Sequence, residues 1–218
     1  MNLTVAPDHD EQLKQCFAGL AIHLTTRPAS ESVAWTIHMQ SQRPYSLFLT
    51  GNSSEEYLVG RILYDNVSHT DQNIFHSQVV RDKGEFSRST VRSEDSAISS
   101  LFETFYEKSE QLPAKLRFID NSDKAVALFA LTDFDQAWFK NADPIAVLND
   151  IENIQYDLVN KTGFRFLCSC SPQKLLPLFQ TMKIDEIEEL YAQDSHLIVD
   201  CPRCGKKFQI AKEDLTPS

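Results

Sequence analysis

Trp35-Thr36-Ile37-His38-Met39-Gln40, the turn Gln42-Arg43-Pro44, and Tyr45-Ser46-Leu47-Phe48-Leu49-Thr50 are the residues whose reading decides the fold. Trp35, Ile37 and Met39 alternate with Thr36, His38 and Gln40, and Tyr45, Leu47 and Leu49 share one face, which is the period-two signature of half-buried strands. Gly51-Asn52-Ser53-Ser54 then punctuates before a third segment, Tyr57 to Tyr64, so the three form a meander. Working outward, Ile74 to Val80, the turn Asp82-Lys83-Gly84 and Phe86 to Val91 read as a second hairpin, though alternation is less clean beyond Phe86. The same reading extends back to Phe17, placing a first strand ahead of Arg27, and forward to about Leu131. Short strands in succession favour an antiparallel sheet.

After the second hairpin the period becomes helical: Ile98, Leu101, Phe102, Phe105 and Tyr106 occupy one face. Ser93 or Asp95 is the expected N-cap and Pro113 ends the element. Strands Lys115 to Ile119 and Lys124 to Leu131 flank an Asp120-Asn121-Ser122-Asp123 turn. Phe75, Phe86, Phe102, Phe105 and Phe118 are read as sheet and helix core. The fold class is therefore α+β, an antiparallel-sheet-rich N-terminal domain with a packed helix. Asp143-Pro144 has the form of an N-cap followed by Pro at the first helical position, opening a short connector helix through Ile145, Leu148 and Ile151. A strand, Gly163 to Leu167, delivers two cysteines; helices Pro172 to Met182 and Asp185 to Ala192 and a closing hairpin follow. The predicted organisation is a core domain over 1–132, a short linker with a helix over 133–163 and a small C-terminal metal domain over 164–218.

The composition, 42% hydrophobic and 24% charged over 218 residues, is that of a folded globular chain. A formal net charge of −10 repels phosphate backbones and anionic lipid, so no nucleic-acid or membrane partner is expected. The longest apolar run, Ala125 to Leu131, falls far short of the ~20 residues a bilayer span needs, and the start MNLTVAPDHDEQ has no export signal. The expected location is the cytoplasm.

Four of five cysteines fall in Cys168-Ser169-Cys170 and Cys201-Pro202-Arg203-Cys204-Gly205. Four thiolates suit tetrahedral Zn²⁺. Pro202 and Gly205 are the turn formers a zinc knuckle needs, and residues i and i+2 of an extended Cys168-Ser169-Cys170 project from one face. A segment below ~60 residues has too little core to stand alone, and structural zinc supplies roughly 10–16 kcal/mol of folding free energy. An oxidant that removes the thiolates would remove the metal and the reason to fold. Two readings stay open on the residues alone: a zinc staple without regulation, and a redox-sensitive one. Between Arg165 and Lys212, seven Lys and Arg against six Asp and Glu leave no basic stripe to decide between them.

Cys16, in the apolar Cys16-Phe17-Ala18, is read as a buried inert thiol, and His196 as a surface turn residue, because four cysteines already fill a tetrahedron. No Ser-His-Asp set, no paired catalytic carboxylates and no Walker-type phosphate loop is present, so no enzyme activity and no catalytic residue is expected. A thiol-disulfide enzyme would need a thioredoxin-like βαβ context that the sequence lacks.

The two cysteine motifs joined by a helical stretch resemble the C-terminal zinc switch of the 33 kDa chaperonin family, heat-shock protein 33, a redox-regulated holdase. A second, independent match is Phe105-Tyr106-Glu107-Lys108-Ser109-Glu110-Gln111-Leu112-Pro113, which is similar to the end of a helix in that family's N-terminal domain; Asp185 to Cys201 is similar as well. The sequence departs from the family in length. Only Arg27 to Ser32 stands where a helical insertion precedes the Trp35 strand, and the connector from Asp133 to Gly163 is shortened, retaining the Pro144 to Glu152 helix and losing what precedes it. The resemblance implies one Zn²⁺ per chain held by Cys168, Cys170, Cys201 and Cys204 when reduced, and disulfides Cys168–Cys170 and Cys201–Cys204 when oxidised. It further implies ATP-independent holding of unfolded or partly folded client proteins under oxidative stress, with a homodimer as an oxidised form. The alternative expectation is a constitutive zinc-stapled interaction module of the same fold that has lost its switch with its linker.

Overall fold

Pro7–Thr25 form one 19-residue helix, α1. Proline at the first position is tolerated because its missing N–H would be unbonded anyway, and Asp8 and Asp10 in the first turn complement the helix dipole. Leu13, Cys16, Phe17, Leu20 and Leu24 recur at helical spacing on the face toward the core. This corrects the strand expected from Phe17: the run Phe17 to Ile22 is apolar with no alternation, and the helical period becomes visible only when Leu13 and Cys16 are included. A computed structural model describes residues 7–65, 67, 69–81, 84–119, 122, 124–179, 182–192 and 194–215. The expected turn residues Asp82, Lys83, Asp120, Asn121 and Asp123 lie outside them.

The meander and second hairpin form as read: β1 (Ser32–Met39), β2 (Tyr45–Asn52), β3 (Tyr57–Leu63), β4 (Asn73–Val80) and β5 (Phe86–Ser93). With a two-residue β8 (Arg165–Phe166) paired parallel to β3, they make one sheet in the order β5-β4-β1-β2-β3-β8. The strand expected over Gly163 to Leu167 is reduced to that short piece. Val33, Trp35, Ile37, Met39, Leu47, Leu49 and Phe75 are buried on one face, where α1 and α2 (Ile98–Phe105) cover them. Gly19 of α1 packs close under this layer: a Cβ there would stand 3.1 Å from the Phe102 ring, which would have to give by a few tenths of an ångström. Phe86 is not core: it is 67% exposed, because β5 is an outer strand and Phe86 pairs with Val80 on the face away from the helices. Phe75, Phe102 and Phe105 are buried as read, and Phe118 packs against the core.

Neither Ser93 nor Asp95 caps α2 directly. Ala97 is the N-cap, and the Asp95 carboxylate accepts from the Ala97 N–H one residue earlier, 2.9 Å away. Beyond Phe105 the helix widens into a π-turn, Tyr106–Glu110, and stops at Gln111 in the left-handed region (φ 55°), just ahead of Pro113. The strands β6 (Ala114–Phe118) and β7 (Ala125–Phe129) form a separate two-stranded ladder. Asp143 caps α4 (Pro144–Asn149), accepting from the Ala146 N–H at 3.1 Å. The connector nevertheless has a further helix ahead of it, α3 (Gln136–Asn141), capped by Asp135 on the Trp138 N–H at 2.9 Å. A six-residue helix gives too short a periodic signal to read from sequence.

The chain divides into two compact units, Met1–Phe166 and Leu167–Ser218. The second contains α5 (Pro172–Leu175), α6 (Ile184–Tyr191) and the hairpin β9 (His196–Asp200) and β10 (Lys207–Ala211). The helix expected through Met182 ends at Leu175 and continues as a tight turn, Leu176–Leu178, because Pro177 has no N–H for the helical ladder. Its core is small: Leu175, Phe179 and Ile210, with Leu197, Val199 and Phe208 packed around them. Among the described residues no helix is long and apolar enough to cross a membrane.

Candidate metal centre

Cys168-Ser169-Cys170 is an irregular stretch ahead of α5, and Cys201 follows the last residue of β9. The turn from β9 to β10 is closed by Cys201 N–H donating to the Lys206 carbonyl at 2.8 Å and Gly205 N–H donating to the Cys201 carbonyl at 2.9 Å. Gly205 has φ 76°, a backbone conformation that disfavours any side chain there. Gly205 therefore closes the tight loop that carries Cys201 and Cys204.

The four sulfurs lie within 4.8 Å of one another. Cys168 Sγ stands 3.8 Å from Cys201 Sγ, and Cys170 Sγ stands 3.6 Å from Cys204 Sγ. Four thiolates bonded at ~2.3 Å to one tetrahedral zinc stand roughly 3.8 Å apart, so the cluster has the dimensions of a zinc tetrahedron. Both of these pairings join the two motifs, so sulfurs from two distant segments face one common centre.

Protonation follows the same logic. Burial opposes ionisation of Cys201, but the backbone N–H groups of Cys204 and Arg203, together with the Cys204 and Cys170 thiols, hydrogen-bond to its sulfur and outweigh burial, bringing the thiol down to about 7. Cys170 is pushed up to about 12, first by burial and then by its hydrogen bonds to the other three thiols; Cys168 is raised too, with burial the main cause. One thiol thus ionises readily, and further negative charge in the same small volume is resisted. A dication at the centre removes that resistance, since coordination deprotonates thiols outright.

His196 does not enter the cluster. It is exposed on β9, with Nδ1 2.8 Å from the hydroxyl of Ser195. Cys16 is fully buried in α1, and burial raises its thiol far above the usual range. Lys206 stands over the Phe208 ring, 5.3 Å from its centroid, so its charge is engaged by an aromatic face. What sequence reasoning missed are the backbone donors of Arg203 and Cys204, which only a folded turn can aim at a sulfur.

A family model described as Hsp33 protein matches residues 119–211. The 33 kDa chaperonin of Shewanella sp. (strain W3-18-1) is 22% identical over 209 residues, covering 83% of this chain and 73% of that protein. The 33 kDa chaperonin of Salmonella typhimurium is 21% identical over 213 residues, with the same coverage. The crystal structure of the 33 kDa chaperonin from Thermotoga maritima superposes with a TM-score of 0.67 at 15% identity, over 94% of this chain and 82% of that one, and so shows the same fold. In its cysteine centre, its α+β architecture and these matches, the chain is similar to the 33 kDa chaperonins, sharing their fold and, over residues 119–211, their sequence pattern.

Proposed function

We propose that the protein is an ATP-independent holdase whose activity is switched by the Cys168, Cys170, Cys201 and Cys204 centre. In the reduced resting state the four thiolates hold one Zn²⁺. Oxidation by two equivalents of a peroxide-class oxidant takes two electrons from each of two thiolate pairs, forms disulfides Cys168–Cys170 and Cys201–Cys204 and releases zinc, while each peroxide O–O bond breaks and takes up two protons from solvent. The Leu167–Ser218 unit then loses the interaction that compensates for its small core of Leu175, Phe179 and Ile210. The apolar surface freed in this way binds unfolded or partly folded client proteins. The exposed Trp138, Tyr156, Leu158 and Val159 of the 133–163 linker, which carry apolar surface already, add to it. A thiolate centre of this kind persists only in a reducing compartment, so the place of action is the cytoplasm. No step requires a turnover reaction, and the protein acts without being an enzyme.

The observation that carries this reading is the convergence of four sulfurs from two distant motifs within 4.8 Å. The test is client aggregation followed by light scattering, comparing zinc-loaded reduced protein with protein treated with peroxide at raised temperature, while released zinc is recorded. Protection only after oxidation, in step with one zinc per chain, is the expected result. Equal protection in both states would assign instead a constitutive zinc-stapled interaction module.

A further inference from the structure

The outer face of the six-stranded sheet, opposite the helices, is a second place where chemistry-bearing side chains converge. Antiparallel register sets them side by side: Thr90, His76, Thr36 and Phe48 form one row across β5, β4, β1 and β2, and Arg88, Gln78 and Ala34 form the next. His38 lies opposite Ser46, with Nδ1 2.7 Å from its hydroxyl, and His76 lies opposite Thr90, with Nδ1 2.8 Å from its hydroxyl. Ser46 is on β2 and Thr90 on β5, so the two rings are tied toward opposite neighbours, with centroids 5.4 Å apart and planes at 80°. A cavity of about 280 Å³ opens here, lined by Thr36, His38, Phe48, His76, Gln78 and Arg88.

No acid lines this cavity. The outward positions of β1 to β5 carry Arg61, Arg88, Arg92 and the two histidines and no Asp or Glu, in a chain whose net charge is −10. Among the described residues neither Arg88 nor Arg92 makes an ion pair. Burial, then His76, lowers the pKa of His38; burial, then Arg88 and Arg92, lowers that of His76. The secondary cause in each case is a neighbouring cationic group on this face, and among the described residues lining the cavity there is no carboxylate to offset it. A concave site focuses such a field on a ligand of opposite sign.

We propose that this cavity is a binding site for a phosphate group, taken from a small phosphomonoester. Arg88 pairs with the phosphate oxygens. The Thr36 hydroxyl and the Gln78 amide donate to them. With Ser46 and Thr90 donating their hydroxyl protons to the Nδ1 atoms, both imidazoles keep their own proton on Nε2 and donate from there. Phe48 supplies an apolar wall for the organic part of the ester, which a volume at the lower end of ordinary ligand pockets accommodates. A divalent metal suits the site poorly, since no carboxylate is present and a guanidinium stands beside the rings.

The test is ¹H–¹³C NMR of the histidine Cε1–H groups in the zinc-loaded full chain, titrated with inorganic phosphate and with phenyl phosphate at ionic strength held constant with sodium chloride. Saturable shifts confined to His38 and His76 are expected, with phenyl phosphate saturating at lower concentration than phosphate. Arg88→Gln, an exposed change on an outer strand, should weaken both about tenfold, the loss of one charge-assisted contact. Phe48→Leu should remove the preference for phenyl phosphate while keeping the response to phosphate, which identifies the ester as the source of the group. Equal affinities of the two probes in the unaltered protein would overturn the ester and leave a site for free phosphate. Non-saturating shifts shared with His9, His69 and His196, unchanged affinity in Arg88→Gln, or a response of the pair to Ni²⁺ with none to phosphate would each overturn the site.

Discussion

His23 Nδ1 lies 2.7 Å from the Tyr106 hydroxyl, joining α1 to the π-turn that ends α2 through the middle of the core. The other ring nitrogen, Nε2, has no hydrogen-bond partner among the described residues and sits among aromatic rings, with Trp35 and Phe105 centroids 5.2 and 5.7 Å away. Burial, and secondarily Arg27, push the imidazole down to about 3. The unfolded chain protonates this histidine near ~6.5, so between those values the unfolded state binds more protons and stability falls as pH falls. His23 therefore contributes fully above about pH 6.5, and the contribution is lost by at most about 1.4 kcal/mol per pH unit below that. Urea unfolding of the protein and of His23→Leu between pH 7 and about pH 4 should show the unaltered protein losing stability relative to the variant as pH drops. Parallel pH profiles would contradict a neutral buried His23.

Cys168→Ser or Cys201→Ser should abolish tight zinc binding, read as loss of the single equivalent released to a chromogenic chelator. The same change should remove amide protection throughout Leu197, Val199 and Ile210, because zinc holds a unit whose own core is too small. Cys16→Ala should keep zinc stoichiometry unchanged while lowering the stability of the sheet unit by about 1–2 kcal/mol, a modest cavity in a fully buried site.

Glu31 is 6% exposed and holds two cations at once. Arg27 Nη2 stands 2.8 Å from Glu31 Oε2, and Arg81 Nε stands 3.0 Å from Oε1. Arg27 also reaches Glu110 at 3.0 Å, so the loop before β1, the end of β4 and the π-turn share one network. Glu31→Gln removes the carboxylate shared by two guanidinium groups and should cost about 2–3 kcal/mol in chemical denaturation. Arg81→Gln, at a more exposed partner, should cost about 1 kcal/mol or less. Equal losses would show that burial of Glu31 does not set the energetics.

Gly60 of β3 faces β2 at a point where a Cβ would collide with the Phe48 carbonyl oxygen and stand 3.1 Å from Leu49 Cα. These are backbone atoms in a paired strand and cannot swing away. Gly60→Ala should destabilise by about 3 kcal/mol, the upper end of the range for overpacking in a core, with lost protection of β2 and β3 amides by hydrogen exchange. A variant as stable as the parent would mean that the β2–β3 pairing shifts at little cost.

Where the sequence alternated, it was legible. Trp35, Ile37, Met39, Leu47 and Leu49 are buried on one face as their spacing required, because the strand geometry that alternates side chains is local. Phe86 was misread because an aromatic residue in a strand reports an apolar preference and not which face it lies on. That face depends on pairing with Val80 at the outer edge of the sheet. The α1 helix was misread because its apolar run fits two periods, and packing against Trp35 and Phe102 chooses between them.

The cysteine motifs determined by themselves that this chain carries a four-thiol centre, since the residue types, the spacings and the turn formers Pro202 and Gly205 are properties of short segments. The buried His23–Tyr106 pair, the Glu31 network and the acid-free cavity between His38 and His76 were decided only by tertiary structure. Each joins residues that register, not sequence distance, makes neighbours: His38 meets His76 because β4 crosses back beside β1. Contacts of that kind are created by chain closure and burial, and no local pattern encodes them.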